Sequence, residues 1–165
     1  MTGVVLAKMP LEFRSLVPEM AESLGDFFER LNSTDTAGFF HPHPLTRERA
    51  SQLCHYAGKD LYFVGTSDSR ILAYGLLRGW DEGYEVPSLG ISLASDVRGT
   101  GLARSFMMFL HSAARLRGCA QIRLTVFQTN VKAVALYQSL GYRFERKNAE
   151  EDIGILDLCL PEAQR

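Results

Sequence analysis

The feature that most constrains this chain is a turn with two glycines between an apolar strand and a long helix. Residues 88–94, SLGISLA, place apolar side chains at alternate positions, which predicts a strand. The turn SDVRGTGLARS (95–105) follows, and the residues after it carry apolar side chains at three- and four-residue intervals, as an amphipathic helix does. Gly99 and Gly101 have no side chain, so the backbone N–H groups around them can converge on one concavity at the helix start. The segment predicts a strand–turn–helix corner that can hold an anion.

Several ligands compete for such a turn. A Rossmann fingerprint fails because Arg104 stands where the third glycine belongs, and a Walker A loop fails because the turn has no Gly-Lys pair. A plain corner between strand and helix also fits two glycines. A pyrophosphate site is favoured by the partial positive charge of the helix N-terminus and by the neighbouring Arg98 and Arg104.

The remaining pattern predicts one domain, residues 1–165, with a mixed sheet of about seven strands flanked by helices, an α/β (α+β) fold. One or two helices are expected between Leu11 and Leu31, one capped by Thr46 and running to about Ala57 with Gly58 as its stop, one after the glycine turn, and one opened by Asn130. The expected strands are 4–9, 61–67, 71–79, 88–94, 121–127 and two final segments, one around Tyr142 and Phe144 and one over 153–160.

Composition narrows the class of partner and compartment. The formal net charge of −1 gives no basic field, so no nucleic-acid partner is expected. No stretch approaches the roughly 18 apolar residues of a membrane span, and the first residues do not resemble a signal peptide. Three cysteines without a C-x-x-C pair predict buried free thiols. We therefore expect a cytoplasmic protein with no membrane partner, and a homodimer stays open.

A second motif follows the turn in the next predicted helix. Asn130, Ala133 and Tyr137 lie on one stripe of a helix that starts at Asn130. Small Ala133 allows a ligand arm to come close, and Asn130 offers an amide for hydrogen bonds and for a helix cap. Taken alone, the stripe also fits a capping asparagine and a core tyrosine.

The two motifs together resemble the GNAT superfamily of acyl-CoA-dependent N-acetyltransferases. Its signature Q/R-x-x-G-x-G/A is matched by RGTGLA (98–103), and its second signature by Asn130, Ala133, Leu136-Tyr137 and Gly141-Tyr142. The resemblance covers residues 61–160 well and the first sixty in outline. It implies that the turn holds the pyrophosphate of coenzyme A, with acetyl-CoA as cosubstrate and no metal. The implied cofactor contacts are Ile91, Leu93, Arg98, Gly99, Thr100, Gly101, Leu102, Ala103, Arg104, Asn130, Ala133 and Tyr137.

The resemblance also implies a reaction: direct attack of a primary amine on acetyl-CoA in a ternary complex. A backbone N–H of the strand near Leu93 would face the acetyl oxygen, and Tyr137 would protonate the departing thiolate. The amine proton needs an acceptor, for which Glu82 in the loop WDEGYE (80–85) is the candidate. A water chain, Glu85 or a merely solvated acidic loop are the alternatives.

The acceptor is expected to be a small-molecule amine, with an amino sugar as one candidate. His41 and His43 in FHPHP, together with Trp80, Tyr84 and Glu85, are the predicted lining of its pocket. An ordinary surface loop is the alternative for the histidines, and anchoring of the loop is the alternative for the two aromatic residues. The two histidines have a spacing compatible with a metal, but no further ligands accompany them, so no metal is predicted. Acetylation of a protein lysine or N-terminus, and a non-catalytic acyl-CoA-binding module, are the alternative functions.

Overall fold

A seven-stranded mixed sheet forms the centre of the protein. The structure, a computed structural model, describes residues 10–34, 37–40 and 42–158. The strands lie in the order β1-β2-β3-β4-β5-β7-β6, and every neighbouring pair is antiparallel except β4 and β5, which are parallel. Their bounds are β1 Leu11–Ser15, β2 Leu61–Ser67, β3 Arg70–Arg78, β4 Ser88–Leu93, β5 Gln121–Phe127, β6 Arg143–Arg146 and β7 Glu151–Asp157.

Helices cover both faces of this sheet, which is why β3 is apolar along nearly its whole length. The bounds of the helices are α1 Ala21–Asn32, α2 Arg47–Cys54, α3 Leu102–Leu116 and α4 Val131–Ser139. On one face, Ala73 and Leu77 of β3 share a core cluster with residues of α3. On the other face, Tyr74 and Leu76 share a second cluster with residues of α1 and α2. Gly75 lets α3 come close, since a Cβ there would lie 2.9 Å from the Phe106 ring.

The predicted mixed α/β fold is confirmed, and so are several of its local signals. Thr46 caps α2, because its Oγ1 accepts a hydrogen bond from the Arg49 N–H at 3.0 Å. Cys54 and Cys119 are free and buried, as predicted, while Cys159 lies outside the described residues. None of the helices in the described part of the chain is long and apolar enough to cross a bilayer.

One strand at the start of the described chain was not predicted from the sequence. Residues Leu11–Ser15, which we expected to begin a helical region, form β1 instead, paired antiparallel with β2. The reason is local: Leu11 and Phe13 alternate, and Phe13 packs its ring 5.0 Å from that of Phe106, whereas helical spacing begins only at Leu16. The strand predicted at 4–9 lies outside the described residues. Helix α2 also ends three residues early, at Cys54.

Candidate active site

A wedge between β4 and β5 dominates the site. The two parallel strands pair at one register position only, Ser88 with Arg123, where the Arg123 N–H also donates to the Pro87 carbonyl at 3.0 Å. Beyond that position β4 continues to Leu93 paired with β3 but no longer with β5. The sheet is therefore closed near Ser88 and open toward the end of β4.

The open edge of β4 presents backbone hydrogen-bonding groups to this wedge. The Ala94 N–H donates to the Leu72 carbonyl at 2.8 Å, which fixes the alternation of the antiparallel ladder. By that alternation Ser92 exchanges its bonds with β3, whereas the N–H and C=O of Ile91 and Leu93 point toward β5. An extended ligand arm in the wedge would meet these groups, which are the two strand positions predicted from the sequence.

The glycine turn closes the wide end of the wedge. Gly99 and Gly101 have φ angles of +76° and +87°, a left-handed conformation that residues with a Cβ adopt only under strain. The turn is held by the Thr100 hydroxyl, which donates to the Val97 carbonyl at 2.5 Å. A Cβ at either glycine would meet nothing within 4 Å. The glycines are thus required by backbone conformation, and the space above them is open to a ligand.

Helix α3 starts directly at this open surface. Its first internal hydrogen bond runs from the Ser105 N–H to the Gly101 carbonyl at 3.2 Å, so the N–H groups of Ala103 and Arg104 precede that bond and point out of the helix end. The Arg104 guanidinium donates to Ser139 Oγ at 2.6 Å and so connects α3 to α4. Exposed N–H groups, the helix dipole and two exposed arginines, Arg98 and Arg104, fit a pyrophosphate.

Helix α4 brings the second motif to the same region, with one correction. Asn130 stands at the N-cap, but its side chain makes no capping hydrogen bond, so the predicted cap is wrong. Its backbone carbonyl accepts from the Val134 N–H at 3.0 Å, and within the described chain its amide is not engaged. Ala133 is half-buried against the core cluster that includes Tyr137. The Asn130 amide remains available to a ligand.

Tyr137 has a buried ring and an available hydroxyl. Its ring lies 5.7 Å from that of Tyr142, whose hydroxyl is hydrogen-bonded to His111 Nε2 at 2.8 Å. No described residue hydrogen-bonds the Tyr137 hydroxyl, and its oxygen is not among the fully buried polar atoms that lack a partner. That oxygen therefore keeps accessible surface. Burial raises the pKa of Tyr137 to about 12, so the hydroxyl carries its proton at neutral pH.

Three carboxylates lie in or against the loop between β3 and β4, Asp60 before β2 and Asp81 and Glu82 in the loop, and two of them are engaged. Asp60 Oδ1 accepts from the N–H groups of Gly79 and Trp80 at 3.0 and 2.9 Å. Asp81 accepts from the Tyr56 hydroxyl, and this bond lowers the pKa of Asp81. Glu82 is exposed and makes no hydrogen bond or ion pair with the described residues. Of these three carboxylates, Glu82 is the one available to accept a proton.

The other residues predicted to line the acceptor pocket differ in burial and in hydrogen bonding. His43 is bound on both sides: its Nδ1–H donates to the Pro44 carbonyl at 2.8 Å, and its Nε2 accepts from the Tyr74 hydroxyl at 2.7 Å. Burial lowers the pKa of His43 to about 4, so its imidazole is neutral at pH 7 and has a structural role. Trp80 is half-buried beneath the Arg117 guanidinium, while Tyr84 and Glu85 are exposed. His41 lies outside the described residues.

Beside this loop lies a polar cavity that the sequence reasoning missed. Its volume is about 300 Å³. Of its lining residues only Glu82 was predicted to belong to a site. Charged residues at strand ends, such as Asp60 before β2 and Arg78 at the end of β3, were the sequence signal that could have indicated the cavity. The lining consists of Arg49, Gln52, Leu53, Tyr56, Asp60, Tyr62, Arg78, Asp81 and Glu82. Across residues 10–34, 37–40 and 42–158, no cluster of three or more metal-ligating side chains is present.

Comparison with known proteins gives one family and a consistent set of folds. A model of the acetyltransferase (GNAT) family matches residues 21–142. The GNAT domain of S. lividans PAT superposes with a TM-score of 0.78 at 17% identity, covering 90% of both chains. The ribosomal-protein-S18-alanine N-acetyltransferase of Escherichia coli superposes at 0.71 with 20% identity, covering 92% of this chain and 96% of its own.

A third similar structure contains the cofactor. PaiA N-acetyltransferase of Thermoplasma acidophilum, in complex with coenzyme A, has a TM-score of 0.73 at 17% identity, over 90% of this chain and 99% of its own. A search of curated protein sequences finds no significant match. At these identities the solved structures establish the shared fold alone.

Proposed function

The chain belongs to the acetyltransferase (GNAT) family, as the match over residues 21–142 establishes, and from that membership we propose that it transfers an acetyl group from acetyl-CoA to a primary amine of a small molecule. The observation that carries the proposal is the meeting of the β4–β5 wedge with the glycine turn. The wedge is a slot with hydrogen-bonding groups along its β4 edge. The glycine turn, which can hold a phosphate, lies at the open end of that slot.

The residues at this junction fit coenzyme A. Open space above Gly99 and Gly101 and the outward N–H groups of Ala103 and Arg104 would hold the pyrophosphate. The edge groups of Ile91 and Leu93, with the free amide of Asn130, would bind the extended arm. From Leu93 back to Ser88 the strand spans about 17 Å, so an arm lying along it has its reacting end near the closed end of the wedge.

The cosubstrate supplies an activated acetyl thioester, and the chain supplies proton handling and orientation. A β4 N–H facing the wedge donates to the acetyl oxygen. Glu82 accepts the proton of the attacking amine, directly or through water. Tyr137 donates a hydrogen bond to the departing sulfur. Because the pKa of Tyr137 is about 12, above that of a thiol, hydrogen-bond donation is favoured over complete proton transfer.

A small acceptor is supported by the size of the cavity next to Glu82. About 300 Å³ is the lower end of the range for small-molecule pockets and is lined by polar groups. An amino sugar remains one candidate. Acetylation of a protein is the second candidate, since one structural neighbour is named for an alanine of a ribosomal protein, although likeness at 20% identity carries no acceptor over.

An amine panel tests the proposal. Release of free thiol from acetyl-CoA would be followed with small amines, glucosamine, an alanyl-terminated peptide and a lysine peptide. We expect at least one small amine to exceed both peptides in kcat/KM. A peptide in first place would establish the protein acetyltransferase, and coenzyme A binding without turnover of any amine would establish a binding module.

A further inference from the structure

We propose that the cavity lined by Arg49 and Arg78 binds a carboxylate of the acceptor, so that the substrate is a small amine that also carries an acid group. This inference rests on the proposed function and narrows its substrate class. Its basis is that two arginines of the cavity lining have no carboxylate partner and that one of them has a buried donor without a hydrogen bond.

Two guanidinium groups in the cavity lack a carboxylate partner. Neither Arg49 nor Arg78 takes part in an ion pair within 4.0 Å among the described residues. Arg78 Nη1 donates to the Pro42 carbonyl at 2.5 Å, and Arg49 Nη1 donates to Gln52 Oε1 at 3.1 Å. Both acceptors are neutral, so neither guanidinium is hydrogen-bonded to a carboxylate, although three carboxylates line the same cavity. Arginine in such a setting is suited to bidentate binding of a planar carboxylate.

One of these arginines also has an orphaned donor. Arg49 Nε is fully buried and has no hydrogen-bond partner among the described residues. Buried donors are nearly always paired, because the lost hydration is otherwise not replaced. Burial lowers the pKa of His43, and the positive charges of Arg49 and Arg78 lower it further, so both cations act on the same ring. An anionic ligand would pair with the two guanidinium groups and satisfy the orphaned donor.

The acidic residues of the cavity do not form ion pairs with Arg49 or Arg78. Asp60 Oδ1 is bound by backbone N–H groups of the loop at Gly79 and Trp80, and Asp81 by the Tyr56 hydroxyl and the Lys59 N–H. Those bonds hold the loop in shape. The remaining carboxylate, Glu82, is unengaged and faces the same space. The cavity therefore presents cations on the α2–β3 side and an available carboxylate on the loop side, the arrangement that a zwitterion complements.

The position of the cavity matches the reacting end of the wedge. Arg78 stands opposite Ser88 in the β3–β4 register, and Ser88 is the residue that pairs with Arg123 where the wedge closes. Two strand spacings, about 10 Å, separate β3 from β5 there. A short molecule with its acid group on the arginines can place an amine near the wedge, close to Glu82.

Matched amines that differ only in the carboxylate test this inference. The pairs are lysine with 1,5-diaminopentane and tyrosine with tyramine, and glycylglycine with its C-terminal amide distinguishes an amino-acid from a peptide carboxylate. Both kcat/KM with acetyl-CoA and calorimetric binding to the coenzyme A-loaded protein are measured. The variants are Arg49→Gln, Arg49→Lys and Arg78→Gln, with Arg14→Gln on the exposed edge strand β1 as the control for a lost surface charge.

We expect the carboxylate member of a pair to be preferred by at least about tenfold, as one charge-assisted contact provides. Arg49→Gln and Arg78→Gln should reduce that preference to about threefold or less, Arg49→Lys should retain part of it, and Arg14→Gln should keep it in full. Turnover with no preference, or a preference that survives both arginine variants, overturns the inference and leaves the acetyltransferase intact. Preference in binding without any turnover supports the inference and overturns the proposed function; neither preference nor turnover overturns both.

Discussion

Tyr137 is the residue whose chemistry is most sharply defined, because its ring is buried and its hydroxyl is accessible and protonated. Tyr137→Phe keeps the ring and removes the donor to the departing sulfur. Since thiolates are already good leaving groups, kcat should fall by roughly 10–100-fold, at the lower end of general acid catalysis, with little change in acetyl-CoA affinity. Steady-state kinetics and calorimetry measure the two quantities.

The neighbouring tyrosine provides a matched control for that variant. Tyr142→Phe removes a hydroxyl bonded to His111 and should lower stability by about 1 kcal/mol while leaving kcat unchanged. If Tyr137→Phe lost cofactor affinity in proportion to rate, Tyr137 would be a packing residue. Full activity would mean that the departing sulfur does not need the hydrogen bond from Tyr137.

Glu82 is a second residue with a testable role, because it lines the cavity and its carboxylate has no partner among the described residues. Glu82→Gln removes a base and keeps the side-chain shape. If Glu82 accepts the amine proton, kcat/KM falls and the acid limb of its pH profile, where the base becomes protonated, flattens. Glu12→Gln on the exposed edge strand is the control. An unchanged acid limb would move the role to Glu85 or to water.

Individual residues were predictable from sequence where a backbone conformation required them. Gly99 and Gly101 were predicted because few other residues adopt a positive φ angle, whereas the role of Tyr137 came from the family resemblance and stays a prediction. The arginines of the cavity were not found. Arg49 and Arg78 are far apart in sequence, and only the folded structure shows that they line one cavity without a carboxylate partner.

At the scale of elements, the turn and α3 form one unit whose two ends can be compared. Gly101 and Gly118 flank the helix with φ angles of +87° and +86°, and a Cβ at either would meet nothing within 4 Å. Replacing either by valine therefore introduces similar backbone strain, about 1–2 kcal/mol. Only Gly101→Val also places a branched side chain where a pyrophosphate would approach the backbone.

The expected result is a difference between the two variants. Gly101→Val should weaken coenzyme A binding by about an order of magnitude or more, equivalent to the loss of one or two good contacts. Gly118→Val should lose similar stability and keep its affinity. Calorimetry with coenzyme A, together with thermal unfolding of each variant, separates the effects. Equal affinities in the two variants would contradict a pyrophosphate site at the turn.

Helices and strands were predicted correctly where one hydrophobic period dominated a segment. The predictions failed where a strand period and a helix period met. The alternation in β2 through β5 and the stripe of α3 determined both type and position. Between Leu11 and Leu31 a short segment with strand-like alternation is followed directly by a longer segment with helical spacing. The longer helical pattern led us to miss the strand. The end of α2 was misplaced because Gly58, which was taken as its stop, instead makes room for the Tyr56 hydroxyl and Asp81: a Cβ there would lie 2.2 and 2.7 Å from their oxygens.

At the scale of the whole molecule, the wedge could not be predicted from sequence. The mixed character of the sheet was predicted from the sequence of elements, but neither the order of its strands nor the single pairing position of β4 and β5 was. The two-sided packing of the sheet places the turn at one end of β4 and the arginine cavity near the other. A cofactor along the wedge and an acceptor in the cavity can then meet near Ser88 from opposite ends.

Two-sided burial also sets how the molecule responds to acid. His43 lies against the α1–α2 side of the sheet and His111 on α3, and burial lowers the pKa of each to about 4, against 6.5 for an ordinary histidine. The unfolded chain therefore binds these protons first as pH falls. Stability is full above pH 6.5 and is lost progressively toward pH 4, by about 3 kcal/mol for nearly fully buried His111 alone.

Unfolding by denaturant across pH 7 to 4 measures this loss. His111→Gln should be less stable at pH 7 but show a shallower decline between pH 6.5 and 4.5, and a double variant with His43→Gln should be shallower still. Glu29→Gln is the matched control. The Arg47 guanidinium lowers the pKa of the exposed Glu29 carboxylate from 4.5, so stability from that group is present above pH 4.5 and is lost only below it. A wild-type stability that stays flat down to pH 4.5 would mean that neither histidine is neutral because of burial.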